Sequence, residues 1–122
     1  MLTEARTINV LGTEIRIQFR EERQDSKLRE LGGYFDATES LIIVKIPEKD
    51  VMSCGNLENH QKKVLRHEII HAFLHESGLD WSAASSECWA TNEEMVDWLA
   101  IQSPKIFKIF REQIKTSIQT GD

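Results

Sequence analysis

Residues 57–78 read Leu57-Glu58-Asn59-His60-Gln61-Lys62-Lys63-Val64-Leu65-Arg66-His67-Glu68-Ile69-Ile70-His71-Ala72-Phe73-Leu74-His75-Glu76-Ser77-Gly78. Leu57, Val64, Leu65, Ile69, Ala72 and Phe73 recur at three- and four-residue steps, and Gly78 stands where a C-terminal helix cap belongs. One long helix is expected. Inside it, His67-Glu68-Ile69-Ile70-His71 has the spacing H-E-x-x-H. Residues four apart share a helical face, so the two imidazoles can converge on one ion, while Glu68, about 100° round the helix, can reach water beside it.

Upstream, the periodicity changes from helical to alternating. From Arg6 to Arg20, Ile8, Val10, Ile15, Ile17 and Phe19 mark one face at period two around Gly12-Thr13, which predicts a β-hairpin. Glu21 to Glu30 is charged and loses the alternation, and Gly32-Gly33 breaks the backbone. Tyr34-Phe35 and Leu41 to Ile46 then restore strand character until Pro47, predicting a second hairpin. Downstream, a second helix is expected from about Glu87 or Thr91 to Gln102. A third is expected from Ser103-Pro104, where Ser caps and Pro suits the first turn. An antiparallel or mixed sheet of three to four strands followed by about three helices makes the chain α+β. With no repeats, low-complexity tracts or linker, residues 1–122 are expected to form a single domain, with Thr120 to Asp122 frayed.

A catalytic zinc site needs three protein ligands and an open position, so a third ligand must be found. Leu74 and Ser77 occupy the positions where an H-E-x-x-H-x-x-G-x-x-H site would have Gly and His, which excludes that subtype. His75 shares the face, but its Cα is about 12 Å along the axis from that of His67, too far to share an ion, and is expected at the cleft rim. The next helix offers Asn92-Glu93-Glu94-Met95-Val96-Asp97, with Glu93 and Asp97 again four apart. Thr91-x-x-Glu94 has capping-box spacing, which would occupy Glu94 at the helix start and leave Glu93 to face the metal. A start near Ser85 or Ser86 would reopen the choice between the two glutamates.

With these residues the chain resembles the gluzincin metallopeptidases, whose signature is H-E-x-x-H followed on a second helix by Asn-Glu-x-x-Ser-Asp. Asn92, Glu93 and Asp97 match that signature, and Val96 replaces the Ser. The likeness covers about Val64 to Trp98 and is closest to the miniature forms carried by phages and mobile elements of Gram-positive bacteria. It implies a zincin-like domain with one Zn2+ per chain held by His67, His71 and Glu93, and Asp97 hydrogen-bonded to His67 to fix its tautomer. It also implies hydrolysis of a peptide or protein substrate laid as an extended strand beside a sheet edge, for which Leu41 to Ile46 is nominated. Glu68 would take the water proton and pass it to the leaving amine. The oxyanion donor stays open among Tyr34, His60 and His75. The miniature forms lack the second subdomain that supplies further donors in larger relatives. A weakly active or latent zinc-binding interaction module, with the terminal helix or tail over the cleft, is therefore the alternative.

Composition narrows the partners. A net charge of −5 argues against nucleic-acid binding, which depends on Lys and Arg neutralising phosphates. The run Leu41 to Val44 is far short of the roughly 20 apolar residues of a membrane span, and no signal-peptide pattern opens the chain, so a cytoplasmic location without membrane contact is expected. Cys54 and Cys88 are expected to be free thiols, with Cys54 the alternative to water as fourth zinc ligand. Trp81, Trp89 and Trp98 are expected in the core. Lys105, Lys108, Arg111 and Lys115 form a solvated stripe opposite an expected buried face of Ile106, Ile109, Phe110, Ile114 and Ile118.

Overall fold

The computed structural model describes residues 1–48, 55–80 and 89–114. Cys54, Cys88, Trp81, the helix starts considered at Ser85, Ser86 and Glu87, and everything from Lys115 onward lie outside the described residues. Strands β1 (Arg6–Val10) and β2 (Thr13–Arg20) pair antiparallel, with Ile15, Ile17 and Phe19 buried while Glu14 and Arg16 face solvent. The turn is Leu11-Gly12, one residue earlier than expected. Both residues have positive φ, 51° and 95°, as a two-residue hairpin loop demands, and Asn9 Oδ1 accepts from the Gly12 N–H at 2.9 Å.

The charged stretch forms two short 3-10 turns, Glu22–Gln24 and Ser26–Arg29, with Leu28 fully buried beneath the second. Strands β3 (Gly33–Asp36) and β4 (Leu41–Lys45) form the second hairpin, and β4 also pairs in parallel with β2, giving a mixed sheet of order β1-β2-β4-β3. The nomination of Leu41 to Ile46 as a substrate edge is thereby corrected. β4 has neighbours on both sides and Leu41–Val44 are buried throughout, the pattern of a strand covered on both faces. The edge strands are β1 and β3. Gly32-Gly33 is no simple break either: Gly33 opens β3, and a Cβ there would come within 2.7 Å of Ile43 O and 2.9 Å of Val64 Cγ1. Only glycine lets this strand approach its neighbours so closely.

Helix α1 (Leu57–Glu76) is capped by Asn56, whose side chain accepts from the Asn59 N–H at 3.0 Å, and ends with Gly78 at φ 77° as expected. Val64 and Ala72 pack against Val10, Ile15, Ile17, Phe19, Ile42 and Val44, while Leu28, Leu41 and Ile43 make a second cluster with Tyr34. Fully burying each of these aliphatic side chains is worth roughly 1.5–3 kcal/mol.

Helix α2 (Glu93–Ile114) follows a 3-10 turn at Trp89–Thr91 and corrects the expected count: it runs through Ser103-Pro104 without interruption, so the described residues hold two α-helices, not three. Pro104 cannot donate to the carbonyl of Ala100, one turn back. Arg66 of α1 supplies that donor, its Nε lying 2.6 Å from Ala100 O, and the helix continues. Trp89 and Trp98 are half exposed rather than core: the 3-10 turn buries Ala90 and α2 buries Val96 and Ala100 instead. Among its described residues the expected buried face of the terminal stretch is likewise open: Ile109, Phe110 and Ile114 are exposed and Ile106 is half-buried. Among the described residues, no helix is long and apolar enough to cross a membrane.

Candidate metal centre

Both histidines leave α1 on the side facing the start of α2. His67 Nε2 lies 3.2 Å from His71 Nε2, 3.1 Å from Glu93 Oε2, and His71 Nε2 lies 2.7 Å from Glu93 Oε1. A tetrahedral site with bonds of about 2.0–2.1 Å has ligand atoms about 3.3 Å apart; in this trio the His67–His71 and His67–Glu93 separations stand close to that spacing, and the His71–Glu93 contact is shorter, at hydrogen-bond distance. Glu68 belongs to the same neighbourhood: His67, Glu68 and His71 each bring a ligand-capable atom within 4.8 Å of the others. The Glu93 carboxylate lies 3.1 Å from His67 Nε2 and 2.7 Å from His71 Nε2, so both Glu68 and Glu93 are within reach of the histidine pair.

The two carboxylates differ in burial. The Glu93 side chain is 71% exposed and closes the trio from the open side, whereas Glu68 is 7% exposed. Burial pushes the Glu68 carboxyl up to about 7, opposed by His67 and reinforced by Glu93. Burial also lowers the pKa of His71, favouring the neutral imidazole that a metal ligand needs. Asp97 Oδ1 is 3.3 Å from His67 Nδ1, the position for accepting the Nδ1–H and leaving Nε2 for a metal. Lys63 donates to the same oxygen at 2.8 Å and, more than His67, holds the Asp97 carboxyl below its usual range.

The start of α2 corrects one step of the ligand argument. Asn92, not Thr91, caps the helix, its Oδ1 accepting from the Met95 N–H at 2.8 Å, and Glu94 is simply exposed. Glu93 therefore faces α1 as the first residue after the cap, without any capping box at Thr91. Val96, where the signature has Ser, is fully buried.

A cleft of about 380 Å³ opens beside the trio, lined by Gly33, Tyr34 and Phe35 of β3 with Glu68, His71, Asp80 and Glu93. It adjoins a trough holding His60, Lys63, His67 and Asp97. Of α2, only Glu93 and Asp97 line these spaces among the described residues, so a covering of the cleft by α2 is not seen there. Tyr34 contributes its ring, but its hydroxyl donates to Asp25. His75 is held away from the trio by Asp80, at 2.9 Å from Nδ1 to Oδ2, with Phe35 edge-on. Lys63 was missed in sequence, although its place four residues before His67 puts it on the same face. No family model, curated protein or solved structure matches the chain.

Proposed function

We propose that the chain is a zinc-dependent metallopeptidase of the gluzincin type, a small zincin-like domain hydrolysing peptide bonds. The observation that carries this reading is the convergence of His67 Nε2, His71 Nε2 and the Glu93 carboxylate at 2.7–3.2 Å, with Glu68 buried beside them. Bound zinc would supply Lewis-acid chemistry, polarising the carbonyl under attack and bringing the pKa of water down to about 7. Glu68, whose carboxyl sits near neutrality, accepts the proton of the attacking water and delivers it to the departing amine. Asp97 keeps the His67 ring in the tautomer that presents Nε2. β3, an edge strand of the sheet among the described residues, forms one wall of the cleft at Gly33–Phe35, where an extended peptide would add as a further strand.

A second reading, a zinc-binding interaction module with little turnover, is favoured by one observation. Of the three residues considered as oxyanion donors, Tyr34 spends its hydroxyl on Asp25 and His75 is paired to Asp80. One experiment separates the readings: elemental analysis and peptide-library cleavage by wild type and Glu68→Gln. The peptidase reading expects about one zinc per chain in both and cleavage by wild type that falls about 10²- to 10⁴-fold in the variant. Zinc in both with equal, negligible cleavage supports the interaction module.

A further inference from the structure

Lys63 stands outside the ligand trio, yet its ammonium lies 2.8 Å from Asp97 Oδ1, the oxygen that faces His67 Nδ1 at 3.3 Å. Lys63 and His67 are one turn apart on α1, so the two donors leave the same helical face and meet one carboxylate from α2 between them. The Asp97 side chain is 38% exposed, so packing alone does not fix its rotamer, and water competes for its oxygens. Lys63 is the less exposed partner, at 26%. A surface ion pair of this kind contributes little to stability on its own. Its consequence here lies in what the shared oxygen does next.

We propose that Lys63 is a positioning residue of the metal centre: by holding the Asp97 carboxylate against α1, it fixes the His67 ring with Nδ1–H toward Asp97 and Nε2 toward His71 and Glu93. The inference rests on the metal-site part of the reading above and is independent of turnover.

Charge and position predict opposite signs, which makes the inference testable. Lys63 places a positive charge near a cation site, so if charge were its only role, Lys63→Met would tighten zinc binding. A positioning role predicts weaker binding. Losing a partner of a metal-ligating histidine typically costs about 10- to 100-fold in affinity, and acting one contact further out, Lys63→Met should cost about tenfold. Lys63→Arg keeps a cationic donor within reach of Asp97 and should stay within about threefold of wild type. The measurement is zinc affinity of the full chain by competition with a chelating indicator, with thermal unfolding of the metal-free proteins alongside. In an Asp97→Asn background the effect of Lys63→Met should vanish, because the route to His67 is already weakened. Unchanged or tighter binding by Lys63→Met overturns the inference, as does a loss that persists undiminished with Asp97→Asn or is not rescued by Arg. Failure of the wild type to bind zinc overturns the metal-site reading itself and is seen before any variant is compared.

Discussion

Replacing Arg66 by Met tests how α2, the helix that carries Glu93 and Asp97, is held against α1. Ala100 is fully buried, and Pro104, one turn on, has no N–H to give its carbonyl. The Arg66 Nε, at 2.6 Å, is the donor that this carbonyl has instead. Met preserves an unbranched stem beside Ile69, Ile70 and Phe73 but leaves the acceptor buried and unpaired, which costs about 1–3 kcal/mol. Taking about 2 kcal/mol, and about 3–6 °C per kcal/mol for a chain of this length, Tm should fall by about 6–12 °C. The decisive comparison uses Pro104→Ala. Alanine restores an N–H that can bond Ala100 O within the helix, so Arg66→Met in that background should cost less than about 0.5 kcal/mol. Urea and thermal unfolding of the four metal-free proteins measure the cycle. An equal loss in both backgrounds would show that Arg66 stabilises by packing or charge and that Pro104 has nothing to do with it.

The metal-free protein should carry the signature of Glu68 in its pH profile: folded Glu68 holds its proton to about 7 and the unfolded carboxyl releases it near 4.5. The stability this gives is present below about 4.5 and lost as pH rises through about 7, so Glu68→Gln should flatten that part of the profile in urea titrations, and parallel profiles would refute the assignment. Gly33→Ala would press a methyl onto Ile43 O and Val64 Cγ1 and should destabilise by about 1–3 kcal/mol while loosening the β3 wall of the cleft; unaltered unfolding would show that β3 can shift freely. Tyr34→Phe removes the hydroxyl bonded to Asp25. That bond holds Asp25 below its usual range and, after burial, helps push Tyr34 up to about 12. Asp25 contributes above the unfolded carboxylate pKa and loses that contribution as pH falls through its lowered value. Tyr34 contributes below 10 and loses it as pH rises through about 12. The stability gap between wild type and Tyr34→Phe should therefore narrow at both extremes, and a gap constant from acid to alkali would contradict it.

What was legible in the chain, and what was not, follows from which contacts are local. The β1–β2 hairpin and the α1 cap at Gly78 depend on neighbours a few residues away, so alternation and turn chemistry were enough to find them. β4 was misjudged as an edge although its run Leu41-Ile42-Ile43-Val44 is apolar on both faces, a pattern that already implies a covered, internal strand. The α1 face was only partly readable, because Gln61 and Glu68 share its buried side with Val64 and Ala72 while Phe73 is 42% exposed. Gln61 is buried at no loss of hydrogen bonding: it accepts from the Leu2 N–H at 2.7 Å and donates to Leu2 O at 2.8 Å.

The same distinction governs the candidate site. The pair at His67 and His71 is a matter of helical spacing, so the convergence of the two rings could be read without the fold. Ser103-Pro104 shows the limit of that logic. As sequence it is a good helix start, and it fails as one because an arginine from another helix satisfies the carbonyl that proline strands. Helical spacing puts Lys63 on the face of His67, but the partners of Lys63 and Arg66 lie on α2 and are met only where α1 and α2 cross. Lys63 and Arg66 reach α2 at Asp97 and Ala100, on the helix that carries Glu93, so the placement of Glu93 against α1 depends on interhelical hydrogen bonds that no local pattern encodes. Zinc affinity should accordingly respond to changes at these two positions, neither of which is within the ligand trio.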